Sequence, residues 1–380
     1  MTEASKPITH GEFMEQKDEL MGIPQLLHFN AMLITGALFF AIVLMKYLGQ
    51  SNSMFVVSII LLLSLGLLIT SADFFIEGAK GLARRAGIAE IVIGLTIVSI
   101  GTSLPEILVS GSAAYEASQG KQGAADFAIG SILGSVLVQI TLILGIVVMT
   151  RSVKVRPSWL NRDGVIMLLA VVLLLFFVWT NDELARWEGA ILASLYVAYI
   201  VWLLMKREAI RQEEVEESGQ YQVRGSNWSS AAYLIMIFLG LAFAVYAANI
   251  LVEQAYDLAL KLKVPHSVVG TTVSGIGTSL PELTIALMAA KRSKGVAIGT
   301  LIGSNITDPL LSVGIASMIH PLSISPQDNG LTMDIIAPAT VLGVLLALFF
   351  MRRTYRFERW EGTCLVLFYA IFLVVLQLNR

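Results

Sequence analysis

The sequence predicts an all-α polytopic membrane protein of about 11 transmembrane helices: two inverted five-helix repeats plus one extra N-terminal helix. Three observations carry this. Of 380 residues, 56% are hydrophobic and only 14% are charged, where a soluble chain carries about 25% charged residues. Apolar runs long enough to cross a bilayer recur along the whole chain, and being continuous rather than alternating they read as helices, not barrel strands. Finally, Gly101-Thr102-Ser103-Leu104-Pro105-Glu106 returns letter for letter as Gly277-Thr278-Ser279-Leu280-Pro281-Glu282, at an offset of 176 residues.

A polar segment at 1–27 comes first, acidic where a secretory leader would be basic. An extra span at 28–48 follows. The first repeat, 54–206, holds spans near Met54–Ala83, Ile88–Ala113, Ala124–Thr150, Gly164–Trp179 and Gly189–Lys206. A charged connector, 207–228, reads as a flexible or partly helical cytoplasmic linker. The second repeat, 229–380, holds spans near Ala231–Leu262, His266–Ala290, Gly295–Ile319, Met333–Met351 and Glu361–Leu378.

The halves match in order and spacing. Asp73 and Glu77 correspond to Asn249 and Glu253, Gly130-Ser131-Ile132-Leu133-Gly134-Ser135 to Gly299-Thr300-Leu301-Ile302-Gly303-Ser304, and Arg186-Trp187-Glu188-Gly189 to Arg359-Trp360-Glu361-Gly362. The N-terminus and alternate connectors hold 20 of the 26 Lys and Arg residues, which places the N-terminus in the cytoplasm and the C-terminus outside. Five spans per repeat is odd, so the second copy lies upside down, as in secondary transporters with midplane sites.

Glu106 and Glu282 fall near the middle of their spans, where an ionised carboxylate costs about 3 kcal/mol or more unless it faces a cavity or an ion. Pro105 and Pro281 lack a backbone N–H, so each breaks its helix and frees the carbonyls of Gly101 and Gly277. Thr102, Ser103, Thr278 and Ser279 add hydroxyl oxygens one turn away. A kinked helix with a structural glutamate accounts for one copy but poorly for a mirrored pair. Such oxygens suit hard cations, two or more carboxylates suit Ca²⁺, and the absence of His and Cys argues against zinc or copper.

In the second block, Gly130, Gly134, Gly299 and Gly303 make small-residue faces for close helix approach. Ser135 and Gln139 share one helix face, as do Ser304 and Asp308. Asp308 is a third intramembrane acid, or else a helix-end residue before Pro309. Three negative charges in an empty site are costly, so cations or protons must replace one another there, the physical basis of obligatory exchange.

At these residues the chain resembles the calcium/cation antiporter superfamily, most closely the prokaryotic sodium/calcium exchangers, over residues 54–378. The resemblance implies alternating access, with Ca²⁺ leaving as Na⁺ enters, and the long spans Met54–Ala83 and Ala231–Leu262 sliding across the core. It implies Glu106 and Glu282 as central Ca²⁺ ligands. Thr102, Ser103, Thr278 and Ser279, with the carbonyls near Ser99 and Gly275, would line Na⁺ subsites that Ser135, Ser304 and Asp308 complete. Gln139 stands where these exchangers usually carry Asn or Asp. The 28–48 span is extra to the ten-helix core, and 207–228 is too short for the regulatory domains of animal exchangers.

The expected partners are the transported Ca²⁺ and Na⁺ and the lipid bilayer. No cofactor and no nucleic acid is expected, and a monomer suffices. The alternative is a Ca²⁺/H⁺ antiporter, since clustered carboxylates also trade Ca²⁺ for protons; the Thr-Ser pairs, in place of Gly-Asn, favour sodium. A passive channel fits closed mirrored cages poorly, and no nucleophile–base pair points to an enzyme. Asp73 and Glu77 read as interfacial ion-pair partners of Lys80, Arg84 and Arg85. Trp187 and Trp360 read as belt anchors, His266 and His320 as span-end residues, and Cys364 as a packing residue.

Overall fold

The computed structural model describes residues 30–48, 54–120, 124–181, 183–218, 228–261, 279–292, 294–323 and 331–378. Its helices are α1 (Asn30–Leu48), α2 (Met54–Ala86), α3 (90–102), α4 (Leu104–Ser118), α5 (124–150), α6 (157–181) and α7 (Arg186–Met205). They continue with α8 (Arg207–Ser218), α9 (Ser230–Lys261), α10 (Leu280–Arg292), α11 (294–319), α12 (331–354) and α13 (Arg359–Leu378). Among the described residues, eight helices are long and apolar enough to cross a bilayer, α3 and α4 make a further span bent by 46°, and α1 and α10 are shorter apolar helices. Each of the expected spans therefore carries a described helix. The portion of the 266–290 span before Ser279, with His266, lies outside the described residues. The connector is helical over α8, which buries Ile210.

The apolar windows of α11 and α5 are 94% and 78% buried, against 22–44% for the other long spans, so these two helices form the centre. The exterior is apolar: Phe55, Leu62, Leu108, Phe176, Trp179, Phe238, Phe349 and Ile371 are each more than half exposed. A surface of this kind is stable against lipid, not water.

Short strands record the inversion of the halves. β1 (Val153–Lys154), after α5, pairs antiparallel with β4 (Arg356–Phe357), before α13. β2 (Glu183–Leu184), before α7, pairs antiparallel with β3 (Leu322–Ser323), after α11. Because β1 and β2 flank opposite ends of α6, the two pairs lie on opposite faces of the molecule. The close helix crossings repeat this exchange. A Cβ on Gly145 of α5 would stand 2.7 Å from the Gly362 carbonyl of α13, and one on Gly189 of α7 would stand 2.7 Å from the Gly314 carbonyl of α11. The third helix of each half thus packs on the fifth of the other.

The repeated Arg-Trp-Glu-Gly quartets build these crossings. Glu188 accepts the Ala185 N–H and Glu361 accepts the Glu358 N–H, both at 2.8 Å, closing the first turns of α7 and α13. The following glycine makes the crossing, and Trp187 and Trp360 stay exposed beside it, as anchors would. Cys364 is half-buried within α13.

One buried acid has no counterpart in the sequence reading. Asp163, in the wide turn Leu160–Gly164, is fully buried and accepts Arg162 Nε at 2.8 Å and Nη2 at 2.7 Å. The Tyr199 hydroxyl donates to it at 3.0 Å. Removing one partner of a buried pair strands the other and costs about 3 kcal/mol or more. Asp163→Ala is therefore expected to lower the melting midpoint of the detergent-solubilised protein by ~5 °C or more. An unchanged melting curve would show that the pair carries no stability.

Candidate ion-binding site

Pro105 withholds the N–H that would continue the helix. α3 accordingly stops at Thr102 and α4 starts at Leu104, with Ser103 between them at φ −77°, ψ 1°. Glu106 therefore sits in the first turn of a helix, where backbone N–H groups favour negative charge, and is 2% exposed. Glu282 takes the matching place in α10, directly after Pro281, and is fully buried.

The second blocks meet beside these breaks through two widened turns. Gln139 lies in the π turn Val138–Ile143 of α5 and Asp308 in the π turn Asp308–Ser312 of α11. In α11 the cause is Pro309, which cannot donate to the carbonyl of Asn305. Gln139 Nε2 donates to Asp308 Oδ2 at 3.0 Å and to Ser135 Oγ at 2.9 Å. Ser135 Oγ stands 3.4 Å from the same carboxylate oxygen and 3.5 Å from Ser279 Oγ. Ser312 Oγ lies 3.5 Å from Asp308 Oδ1, and the Ser103 hydroxyl faces the same carboxylate from the α3–α4 break. The two halves thus meet around Asp308.

Glu282 lies within electrostatic reach of Asp308 and beside the Thr102 hydroxyl. Neither of its carboxylate oxygens accepts a well-formed hydrogen bond from the described residues. A fully buried carboxylate in that state calls for a cation or a proton. Glu106 lies on α4, which is held at the wide turn: Ser110 Oγ donates to the Glu106 carbonyl at 2.8 Å and lies 3.4 Å from the Ser312 carbonyl.

The other expected residues divide. The Ser99 carbonyl accepts the Ser103 N–H at 3.0 Å and the Thr102 hydroxyl at 3.3 Å. Ser304 is buried, and its hydroxyl donates to the Thr300 carbonyl of its own helix at 2.9 Å. Thr278 and Gly275 lie outside the described residues. Among the described residues, no three acidic, histidine or cysteine side chains converge as a metal-holding group. An ion here would draw on hydroxyl, amide and carbonyl oxygens as well as carboxylates.

The small-residue face of α11 makes this convergence possible; the matching face expected on α5 makes no such approach at Gly134, where a Cβ would meet nothing within 4 Å because that side of α5 is open. A Cβ on Gly299 would stand 2.7 Å from the Ile91 carbonyl, and one on Gly303 would stand 2.7 Å from Ser99 Cβ. α11 therefore touches α3 backbone to backbone. Sequence reasoning missed Ser110, Ser312, Thr307 and Tyr196. Ser312 carried a signal, standing four residues after Asp308; Tyr196 on α7 carried none.

Comparison with known proteins agrees with this architecture. The family model for the sodium/calcium exchanger protein matches the chain twice, over residues 56–205 and 232–378. Sodium/calcium exchanger MaX1 of Methanosarcina acetivorans is 32% identical, the match covering 84% of this chain and 97% of that protein. Putative antiporter CaxA of Alkalimonas amylolytica is 32% identical over 83% of this chain and 96% of its own. Among solved structures, the sodium–calcium exchanger NCX_Mj soaked with Na⁺ and Sr²⁺ superposes with a TM-score of 0.68 at 29% identity, covering 83% of this chain and 96% of that one.

Fold and relatives together define a multi-pass membrane antiporter built of inverted repeats, not an enzyme. The chain belongs to the sodium/calcium exchanger family.

Proposed function

We propose that this protein exports Ca²⁺ in exchange for Na⁺ by alternating access, using a site shared by its two halves. The observation that carries the reading is the fully buried Glu282 carboxylate, which accepts no well-formed hydrogen bond from the described residues and lies within electrostatic reach of Asp308. Glu106 and Glu282 hold Ca²⁺. Thr102, Ser103, Ser279 and Ser135, with Thr278, Ser304 and the Ser99 and Gly275 carbonyls, line the Na⁺ positions. Gln139 acts there as a donor that holds Asp308.

The working units are the repeats 54–206 and 229–380, joined by 207–228, with 1–27 and the extra helix 28–48 ahead of them. The N-terminus is cytoplasmic and the C-terminus outside, in the cell membrane. One chain suffices, and no cofactor is needed beyond the transported ions. α2 and α9 move together across the core. Their crossing supports this: a Cβ on Gly78 would stand 2.7 Å from Met236 Cβ, and one on Gly240 would stand 2.8 Å from the Phe75 nitrogen.

The nearness of Glu282 to Asp308 also favours a second reading, Ca²⁺/H⁺ exchange, since two neighbouring carboxylates share a proton readily. Radiolabelled Ca²⁺ uptake into proteoliposomes loaded in turn with Na⁺, K⁺ or acid decides between them. Uptake is expected only with an outward Na⁺ gradient. Uptake driven by the pH gradient alone would replace the first reading with the second.

A further inference from the structure

We propose that Ser99 and Thr307 form a monovalent-cation subsite flanking Asp308, which Tyr196 positions; this rests on the Na⁺-exchange reading above. All three residues are buried, with Tyr196 only 2% exposed. Each hydroxyl has one proton to give. Ser99 Oγ donates to the Leu95 carbonyl at 2.8 Å and Thr307 Oγ1 to the Gly303 carbonyl at 2.9 Å, each one turn back on its own helix. Thr307 Oγ1 also lies 3.0 Å from the Tyr196 hydroxyl, a second acceptor for its single proton. One turn along α7, Tyr199 donates to Asp163 at 3.0 Å and fixes the helix face that carries Tyr196.

Ser99 Oγ and Thr307 Oγ1 stand 3.3 Å apart, a spacing at which Thr307 can also donate to Ser99; a cation between them requires both protons on the Leu95 and Gly303 carbonyls. Oxygens about 2.3–2.6 Å from one hard cation lie about 3.3–3.7 Å from each other at neighbouring positions, so the spacing fits two ligands of a single ion. Both ligands are neutral, and the negative charge nearby is Asp308, next in the chain to Thr307. A singly charged ion fits that balance better than Ca²⁺. The sequence does not repeat the subsite across the pseudo-twofold. The pseudo-twofold counterparts of Ser99 and Thr307 are Gly275 and Val138, neither with a hydroxyl, although Tyr369 matches Tyr196.

Wild type, Thr307→Val, Thr307→Ser and Tyr196→Phe are compared in proteoliposomes by two readouts. One is Ca²⁺/Ca²⁺ self-exchange without Na⁺; the other is the Na⁺ concentration giving half-maximal Ca²⁺ uptake. Self-exchange is expected to stay within about twofold of wild type throughout, while half-saturating Na⁺ rises about fivefold in Thr307→Val and at least about twofold in Tyr196→Phe. Thr307→Ser, which keeps the hydroxyl, stays near wild type. Unaltered Na⁺ dependence in Tyr196→Phe and in whichever Thr307 variants fold overturns the inference, as does a parallel loss of both readouts. A wild type that ignores Na⁺ overturns the exchange reading itself, a result distinct from either.

Discussion

Glu282→Gln is expected to abolish Na⁺-driven Ca²⁺ uptake, reducing it by about 100-fold or more. The substitution preserves shape and removes one charge, so the fold has little reason to change. Glu282 is fully buried with Asp308 as its charged neighbour, and its oxygens accept no well-formed hydrogen bond from the described residues. A site that relies on that carboxylate to bind a divalent ion loses a charge-assisted contact worth about 3 kcal/mol. Glu106→Gln, the matching change in the first half, is expected to do the same. Glu208→Gln, on the exposed surface of α8, serves as the comparison and leaves uptake intact. Full activity in Glu282→Gln would remove the carboxylate from the transport mechanism.

Gly299→Val is expected to cost the fold instead. A Cβ there meets the Ile91 carbonyl at 2.7 Å and Gly94 Cα at 2.8 Å. Both obstacles are backbone, on a helix pinned from several sides, so neither can swing away as a long side chain would. Overpacking costs about 1–3 kcal/mol where side chains yield, and more where backbone must move. The variant is expected to yield no monodisperse protein, or one melting ~10 °C or more below wild type. Gly36→Ala is the contrast: nothing stands within 4 Å of a Cβ there, and the helical alanine is neutral or stabilising by up to ~1 kcal/mol. A Gly299→Val protein that melts like wild type would deny the backbone contact between α3 and α11.

What the sequence shows well is what is written along one dimension. Apolar runs mark the spans, and the repeated hexamer marks both helix breaks; Pro105 even locates the first of them, at Ser103. Gly299 and Gly303 are legible as a contact face because they lie one turn apart. The single glycines Gly145, Gly189, Gly314 and Gly362 are not, since none belongs to a glycine pair one turn apart.

The wide turns follow the same division. Pro309 hints at the one beginning at Asp308, whereas the turn holding Gln139 contains no proline to mark it. Asp163 reads as an ordinary charge at the edge of a span, among Arg156 and Arg162. Only the fold reveals that Tyr199 and Arg162 enclose it. The same holds for the site: its carboxylates and hydroxyls are marked by motif, but the Gln139–Asp308 bond joins residues in different repeats, and Tyr196 reaches Thr307 from a helix that carries no motif there.

The central claim is that one buried oxygen-lined site, shared between inverted halves, holds either Ca²⁺ or Na⁺. Calorimetric titration of Ca²⁺ into the detergent-solubilised protein at stepped Na⁺ concentrations measures this directly. The apparent Kd for Ca²⁺ is expected to climb more steeply than in proportion to Na⁺, as several sodium ions compete for the place of one calcium. A Ca²⁺ affinity that stays constant across the Na⁺ series would contradict the account.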